Sequence, residues 1–129
     1  MAKNLVIVDS CVFIKAFRKD KKAIQDLNSI AERTAYSVIT LLELLTGANT
    51  KTKKETIFKI FDSLYSIPLN PSISDKATDI MNRYISGQQH ISVPDCLIAA
   101  TALYTGFPIL TYNKKDFDFI DDLAFFDLA

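Results

Sequence analysis

The chain has 129 residues, 49% of them hydrophobic, and its 15 basic and 15 acidic residues balance. This composition predicts one domain over residues 1–129 with a sizeable core, and the neutral balance argues against a protein that coats nucleic acid by bulk charge. The first apolar run covers only residues 5–8 and no uncharged stretch approaches the ~20 residues of a membrane span, so we expect a cytoplasmic protein without membrane contact.

The first half of the chain predicts strands alternating with helices. A β-branched run at residues 3–8 predicts a buried strand, and helical segments follow at residues 12–17 and 23–31. Residues 36–39 predict a second strand and residues 40–46 a short helix, after which Gly47 suits the position beyond a helix end. Residues 52–66 then carry apolar side chains at helical spacing, which predicts an amphipathic helix.

The second half continues the alternation. It predicts a weak strand at 67–69, a helix at 72–86 and a polar loop at 87–90. An apolar helix at 94–104, ended by Gly106, and a clear strand at 107–111 follow. The last predicted elements are one helical turn at 113–117 and a candidate edge strand at 124–127. Strands that alternate with helices favour a parallel sheet covered by helices on both faces.

Four acidic residues lie where apolar segments end or begin. Asp9 ends the first predicted strand, and Glu43 interrupts the apolar run at residues 41–45. Asp95 opens the apolar stretch at 96–100, and Asp116 follows the strand at 107–111 by a short polar step. Carboxylates that border a core cost free energy unless a cation pairs with them, and the sequence places none beside three of the four. A divalent metal ion would supply the missing positive charge.

Each of these acids also has a purely structural explanation. Asp9 could cap the helix that follows the first strand, and Glu43 could complete a capping box with Thr40. Asp95 could meet the positive end of a helix dipole, and Asp116 could belong to another capping arrangement. Taken one at a time, helix capping explains each acid as well as chemistry does, because Asp and Glu are common in first turns.

Taken together, the acids favour a shared site. In a parallel sheet every strand-to-helix turn lies at one edge, beyond the carboxyl ends of the strands. Carboxylates gathered there raise one another's pKa and oppose folding unless a cation binds them. Oxygen ligands suit Mg²⁺ or Mn²⁺, so the pattern predicts a metal site made by Asp9, Glu43, Asp95 and Asp116. The polar neighbours that could orient these ligands are Ser10, Thr40, Thr111 and Asn113.

Four motifs resemble, in order and spacing, those of PIN-domain nucleases. They are DSCVFI at residues 9–14 with Arg18 downstream, SVITLLEL at 37–44 with Gly47, PDCLIAATA at 94–102 and LTYNKKDF at 110–117. No single motif is unique, but four in order form a specific signal that covers almost the whole chain. At this compact size the chain is most similar to the VapC-type toxins of toxin–antitoxin pairs.

The resemblance implies an α/β fold, a three-layer α/β/α sandwich with a central, mainly parallel sheet of four or five strands. It implies a metal-dependent endoribonuclease in which Asp9, Glu43 and Asp95 are catalytic ligands of Mg²⁺ or Mn²⁺. Asp116 is the fourth expected acid, and Asn113 stands where some family members have aspartate. Family toxins are typically dimers held by a small antitoxin, so the expected partners are RNA, an antitoxin protein and a second copy of the chain.

Basic residues near these motifs are candidates for RNA phosphate contacts. Arg18 is the strongest candidate because a guanidinium group can bind a phosphate through two hydrogen bonds. Lys15 and Lys114 lie beside the first and within the fourth motif, where they could position RNA without reading its sequence. Lysine runs are more often solvated helix faces, so that alternative stays open.

Other classes share parts of this pattern. A receiver-like phosphoacceptor domain needs an aspartate at the end of a central strand, but Asn70 follows the candidate strand at 67–69. A dehalogenase-like phosphatase needs a second aspartate two positions after Asp9, where Cys11 stands. An inactive PIN domain that only binds RNA or protein, and a free-standing RNA-processing nuclease, are the alternatives within the family.

Overall fold

The structure, a computed structural model, describes residues 4–85, 87 and 89–128. Its strands are β1 Val6–Val8, β2 Thr34–Ser37, β3 Tyr65–Ile67 and β4 Ile109–Leu110. Its helices are α1 Ser10–Phe17, α2 Lys21–Ser29, α3 Val38–Thr46, α4 Lys51–Phe61, α5 Pro71–Tyr84 and α6 Val93–Thr105. Short 3₁₀ turns occupy Ala31–Arg33 and Lys114–Asp116.

The four strands form one parallel sheet in the order β3-β2-β1-β4. Ile7 of β1 is in register with Ala35 of β2 on one side and with Ile109 of β4 on the other. The chain therefore builds outward from β1 to β3 and then returns to the other side of β1. In sheets of this kind, ligands bind beyond the carboxyl ends of the strands where the order reverses, here between β1 and β4.

Two hydrophobic cores lie on opposite faces of the sheet. Val6 and Val8 belong to the core that α1, α3 and α4 cover, whereas Ile7 belongs to the core that α5 and α6 cover. All three side chains are fully buried, as expected for a central strand whose successive residues point to opposite faces. This arrangement confirms the predicted three-layer α/β/α sandwich. That residues 1–129 form a single domain stays a prediction.

The second strand was predicted two residues too late, and the alternative that Thr40 and Glu43 form a capping box does not hold. Strand β2 ends at Ser37, whose Oγ accepts a hydrogen bond from the Ile39 amide at 3.2 Å and so caps α3. Thr40 therefore lies inside the helix rather than at its start. Because a hydroxyl at the helix N-terminus satisfies a free amide there, Ser37 rather than the later Thr40 sets the boundary.

The predicted helix at 52–66 was too long. Helix α4 ends at Phe61, and Tyr65–Ile67 forms β3 instead, with Tyr65 in register with Ala35 of β2. The predicted weak strand at 67–69 therefore lies two residues earlier, and Pro68 follows its last residue. Apolar spacing around residues 64–67 fits a helix as well as a strand, and pairing with β2 decides between them.

The C-terminal part of the chain is less regular than predicted. Strand β4 contains two residues rather than the five at 107–111, and the edge strand at 124–127 is a single parallel bridge between Ile109 and Phe125. The helical turn at 113–117 is the 3₁₀ turn Lys114–Asp116. Helix α6 and its termination by Gly106 are confirmed. Of the predicted strand at 3–8, the helix at 72–86 and the loop at 87–90, residues 3, 86 and 88 lie outside the described part of the chain.

None of the helices in the described ranges combines the length and the apolar character needed to cross a membrane.

Candidate functional site

Asp9 lies at the centre of the candidate site. Asp9 follows β1 directly, caps α1 and is only 4% exposed to solvent. Its Oδ1 accepts a hydrogen bond from the Ser10 amide at 2.9 Å, and its Oδ2 accepts one from the Thr111 hydroxyl at 2.9 Å. The capping role proposed for this residue is therefore real, but it uses only one of the two carboxylate oxygens.

The segment after β4 closes the site from the other side. Thr111 is buried, and its Oγ1 both donates to Asp9 and accepts from the Asn113 amide at 3.1 Å. Cys11 contacts the same group, with its Sγ 3.5 Å from Asp9 Oδ2 and 3.6 Å from Thr111 Oγ1. The crevice between β1 and β4 thus contains one oriented carboxylate, held by residues that follow the two strands.

Glu43 faces the same crevice from α3. Burial raises the pKa of its carboxyl, the charge of Asp9 and then that of Asp95 raise it further, and a side-chain hydrogen bond from Ser10 lowers it in part. Its Oε1 is buried and has no hydrogen-bond partner among the described residues. A buried carboxylate oxygen without a donor is costly, so this atom indicates a missing cationic or hydrogen-bonding partner.

Asp95 and Asp116 complete the acidic group. Asp95 lies in the first turn of α6; burial raises the pKa of its carboxyl, and the charges of Asp9 and, more weakly, Asp116 raise it further. Asp116 lies in the 3₁₀ turn after β4 and is exposed. The structure therefore brings each of the four acids within electrostatic range of at least one other. The order of neighbours is Glu43, Asp9, Asp95 and Asp116.

No ion pair neutralises these acids within the described part of the chain. The ion pairs found there join Lys22 to Asp26, Lys51 to Glu55 and Arg83 to Asp121, and all involve other carboxylates. Among residues 4–85, 87 and 89–128, no three Asp, Glu, His or Cys side chains are arranged so that they could hold a metal ion as they stand. The carboxylate oxygens, including the Glu43 Oε1 that has no partner in the described chain, suit a hard divalent cation. The four carboxyl groups lie near one another but are not arranged around a single point.

The candidate orienting residues occupy different positions around this group. Ser10 and Thr111 contact Glu43 and Asp9, as described above. Thr40 is fully buried in α3, and its Oγ1 has no hydrogen-bond partner among the described residues. Asn113 precedes the 3₁₀ turn without capping it through its side chain, and its contact with the site is made by its backbone amide.

The three candidate phosphate-binding residues are exposed. Arg18 ends α1 and lines the same groove as Glu43. The Lys15 ammonium lies 5.5 Å from the centre of the Tyr112 ring, and the Lys114 ammonium lies 5.5 Å from that of Phe125. Of these three residues, Arg18 is therefore the one that lines the groove.

A largely apolar groove of about 860 Å³ adjoins the site. Residues of α1 and α2 form one wall and residues of α3 and α4 the other, with Glu43 and Arg18 among them. The groove therefore connects an apolar surface to the acidic group through a short charged section.

Sequence reasoning missed the side chains that hold the segment after β4. The sequence analysis assigned no role at the site to Cys11, Tyr112 or Asp26. Tyr112 and Asp26 are 86 positions apart and hydrogen-bonded. No spacing rule connects residues so distant, so the sequence carries no signal for this contact.

A sequence profile of the PIN domain family matches residues 6–123, a range that contains all four acids. The chain belongs to the PIN domain family. The family predicted from the four motifs is therefore confirmed, and the parallel sheet with helices on both faces is the PIN architecture.

Individual relatives agree with this assignment. The chain is 31% identical over 121 residues to Ribonuclease VapC10 of Mycobacterium tuberculosis, covering 92% of this chain and 90% of that protein. It is 29% identical over 117 residues to Ribonuclease VapC1 of Methanocaldococcus jannaschii, covering 90% and 81%. A chain of the toxin-antitoxin complex from Klebsiella pneumoniae superposes with a TM-score of 0.79 at 24% identity, covering 92% and 95%. At that identity the superposition shows the fold.

Proposed function

We propose that this PIN domain is a metal-dependent endoribonuclease that hydrolyses RNA phosphodiesters in the cytoplasm and is the toxin of a toxin–antitoxin pair. The observation that carries the proposal is the group of Asp9, Glu43 and Asp95 at the carboxyl ends of the strands, mutually repelling and without an ion-pair partner in the described chain. The names of the VapC ribonucleases to which the chain is similar support the choice of RNA as substrate.

We assign the metal-binding role to Asp9, Glu43 and Asp95, with Asp116 binding directly or through a water. Mg²⁺ or Mn²⁺ bound by these carboxylates would supply the positive charge that lowers the pKa of the attacking water and stabilises the leaving oxygen. This chemistry needs no histidine, in keeping with a chain that contains one.

The other polar residues would fix the carboxylates for this task. Thr111 and Ser10 each donate one hydrogen bond to Asp9, which sets the orientation of the carboxylate and leaves further lone pairs of both oxygens for a cation. Thr40 is buried in α3 without a partner for its hydroxyl in the described chain, so it is available to a ligand or water near Glu43. Asn113 supports Thr111 through its backbone amide.

RNA would approach over the basic residues that surround this group. Arg18 is the proposed principal phosphate contact because it is exposed at the rim of the groove that also contains Glu43. Lys15 and Lys114 would add phosphate contacts that position the strand without selecting a sequence. These cations would also offset the repulsion between RNA phosphates and the acidic group.

The antitoxin is the proposed occupant of the groove between α1–α2 and α3–α4. An apolar channel of this size is large enough for a short peptide segment, and its charged section at Arg18 and Glu43 would let that segment reach the acidic group. The structural similarity to a chain of a toxin-antitoxin complex supports this partner class. We also propose that the protein forms a homodimer, as the family resemblance implies.

Asp9→Asn tests the catalytic assignment. We expect it to fold normally and to reduce Mg²⁺-dependent RNA cleavage by at least about 100-fold, because losing only an outer partner of a metal ligand typically costs 10–100-fold. The measurement is single-turnover cleavage of a labelled RNA with Mg²⁺, Mn²⁺ or EDTA. Asp75→Asn, the same change at an exposed position of α5, is the matched control and should cleave like the unmodified protein. Cleavage by Asp9→Asn at the unmodified rate would show that the assignment is wrong.

A further inference from the structure

A second polar cluster lies beside the acidic group and contains none of its members. The hydroxyl of Tyr112 donates a hydrogen bond to Asp26 Oδ2, and Lys22 Nζ donates to the same oxygen at 2.7 Å. The ammonium groups of Lys15 and Lys22 lie 5.5 and 5.0 Å from the centre of the Tyr112 ring. The side chain of Tyr112 is therefore held at its hydroxyl by Asp26 of α2, and exposed lysines of α1 and α2 lie near its ring.

The backbone of Tyr112 is fixed as well. Its amide donates a hydrogen bond to Cys11 Sγ at 3.4 Å, and that sulfur is 3.5 Å from Asp9 Oδ2. Thr111, the preceding residue, donates to the same Asp9 oxygen at 2.9 Å. Holding Tyr112 thus restricts both groups that orient Asp9 Oδ2.

Forming this cluster costs free energy, because it buries a carboxyl group. Asp26 is buried in α2, and burial alone would raise the pKa of its carboxyl, but the hydrogen bonds from Lys22 and Tyr112 outweigh burial and lower it. Burial followed by the hydrogen bond to Asp26 and its charge raise the pKa of Tyr112, so its hydroxyl stays protonated as a donor. Asp26 is the buried member of this network and Lys22 is exposed, so releasing the Tyr112 hydroxyl would remove one of the two donors to a buried carboxylate oxygen.

We propose that Tyr112 and Asp26 are positioning residues for the acidic site, which hold Thr111 and Cys11 against Asp9 and so set the cation affinity and the turnover of the enzyme. The inference rests on the proposed function for its turnover part, whereas its cation-binding part can be measured without RNA. Tyr112 acts through Thr111 and Cys11, and Asp26 acts through Tyr112.

Tyr112→Phe is the decisive variant because it removes one hydroxyl and keeps the ring near the two lysines. We expect Mn²⁺ affinity, measured by calorimetric titration without RNA, to fall about three- to tenfold, less than the 10–100-fold typical of a direct partner of a metal ligand. We expect kcat for RNA cleavage to fall by a similar factor with KM unchanged. Tyr104→Phe, the same change at an exposed residue of α6, should alter neither quantity.

A second variant completes a double-mutant cycle and guards against unfolding of the first. Asp26→Asn also removes the ion pair with Lys22, so it should lose at least as much Mn²⁺ affinity as Tyr112→Phe. The double variant should lose no more than the worse single variant, because both changes act on the contact between Asp26 and Tyr112. Losses that multiply in the double variant would contradict the proposed path from Asp26 through Tyr112.

Two other results would overturn the proposal. Unchanged Mn²⁺ affinity and kcat in both variants would show that the cluster only stabilises the fold. A raised KM at constant kcat would show that Tyr112 contacts RNA instead. If the unmodified protein binds Mn²⁺ but cleaves no RNA, the proposed function fails, and the Mn²⁺ titrations alone then support or overturn the positioning role.

Discussion

At the scale of single residues, the acidic site destabilises the folded protein through the burial and mutual repulsion of its carboxylates. Asp9 raises the pKa of Glu43, Asp95 and Cys11 by its charge, in each case after burial, which contributes most. A raised pKa means that the folded protein binds the proton more tightly than the unfolded chain does. Ionisation of Glu43 and Asp95 therefore lowers the free energy of unfolding as the pH rises above the ordinary carboxyl pKa of about 4.

Asp95→Asn should stabilise the metal-free protein at neutral pH. Removing the charge removes the cost of burying it, which is the larger effect, and relieves repulsion by Asp9 and Asp116. We expect the Tm in EDTA to rise by about 4 °C, the effect of roughly 1 kcal/mol in a chain of this size. The gain should shrink as the pH falls and vanish below the unfolded carboxyl pKa, where Asp95 is protonated in both states.

Thermal unfolding followed by circular dichroism across this pH range measures the effect. Asp75→Asn on the exposed face of α5 is the control and should leave Tm unchanged at every pH. A loss of stability in Asp95→Asn that does not depend on pH would contradict the repulsion.

The candidate residues were predictable from the sequence because they border or interrupt apolar runs. Asp9, Glu43, Asp95 and Thr111 follow or precede apolar runs, and a parallel sheet brings such positions to one edge. The contact between Tyr112 and Asp26 was not predictable, since it joins α2 to the segment after β4 across 86 positions of the chain. The placement of Asp116, exposed and coupled most clearly to Asp95, also required the structure.

At the scale of helices and strands, the ends of two helices differ in what they demand of the backbone. Gly106 follows α6 with φ of +78°, in the left-handed region that side chains disfavour. Gly47 follows α3 with φ of −90°, which any residue adopts, and a Cβ there would meet only the Leu44 carbonyl oxygen at 3.7 Å. The sequence marks both helix ends with glycine, but only one of them needs it.

Gly106→Ala should therefore destabilise the protein, and Gly47→Ala should not. We expect the first to lower the free energy of unfolding by about 1–2 kcal/mol, the cost of the left-handed conformation for a residue with a Cβ. The second should be neutral or stabilise by up to about 1 kcal/mol, because alanine restricts the unfolded chain. Urea unfolding of both variants gives the two values. Equal destabilisation by the two changes would contradict the assigned backbone conformations.

Element types were predicted better than element boundaries. Helix α6 was found with its end because a proline, an acid and a glycine mark it, whereas β2 and α4 were misjudged by two to five residues at their ends. Local spacing could not show that Ser37 starts a helix or that Tyr65 pairs with Ala35. These boundaries depend on hydrogen bonds made only after the sheet has formed.

At the scale of the whole molecule, the groove and the acidic group adjoin each other but can be altered by separate substitutions. Ile24 of α2 lines the groove and is 36% exposed, whereas Ile85 is 64% exposed and is not among the lining residues. A charge at Ile24 would enter an apolar channel, while a charge at Ile85 would remain in solvent.

Ile24→Glu should weaken binding of the proposed antitoxin by about tenfold or more, as expected when an apolar anchor contact is replaced by a buried charge. RNA cleavage should stay within about twofold of the unmodified rate, because the acidic group is not altered. Pull-down and titration with the product of an adjacent small open reading frame measure binding, and Ile85→Glu is the matched control. Equal binding by both variants would place the partner elsewhere on the surface.

Direct titration with a divalent cation tests the central claim that the acids gathered at the sheet edge form a metal site. Calorimetry with Mn²⁺ in the absence of RNA should detect uptake by the unmodified protein and by Asp75→Asn, and the loss of that uptake in Asp9→Asn and Asp95→Asn. Equal Mn²⁺ uptake by all four proteins, or none by any of them, would contradict the account.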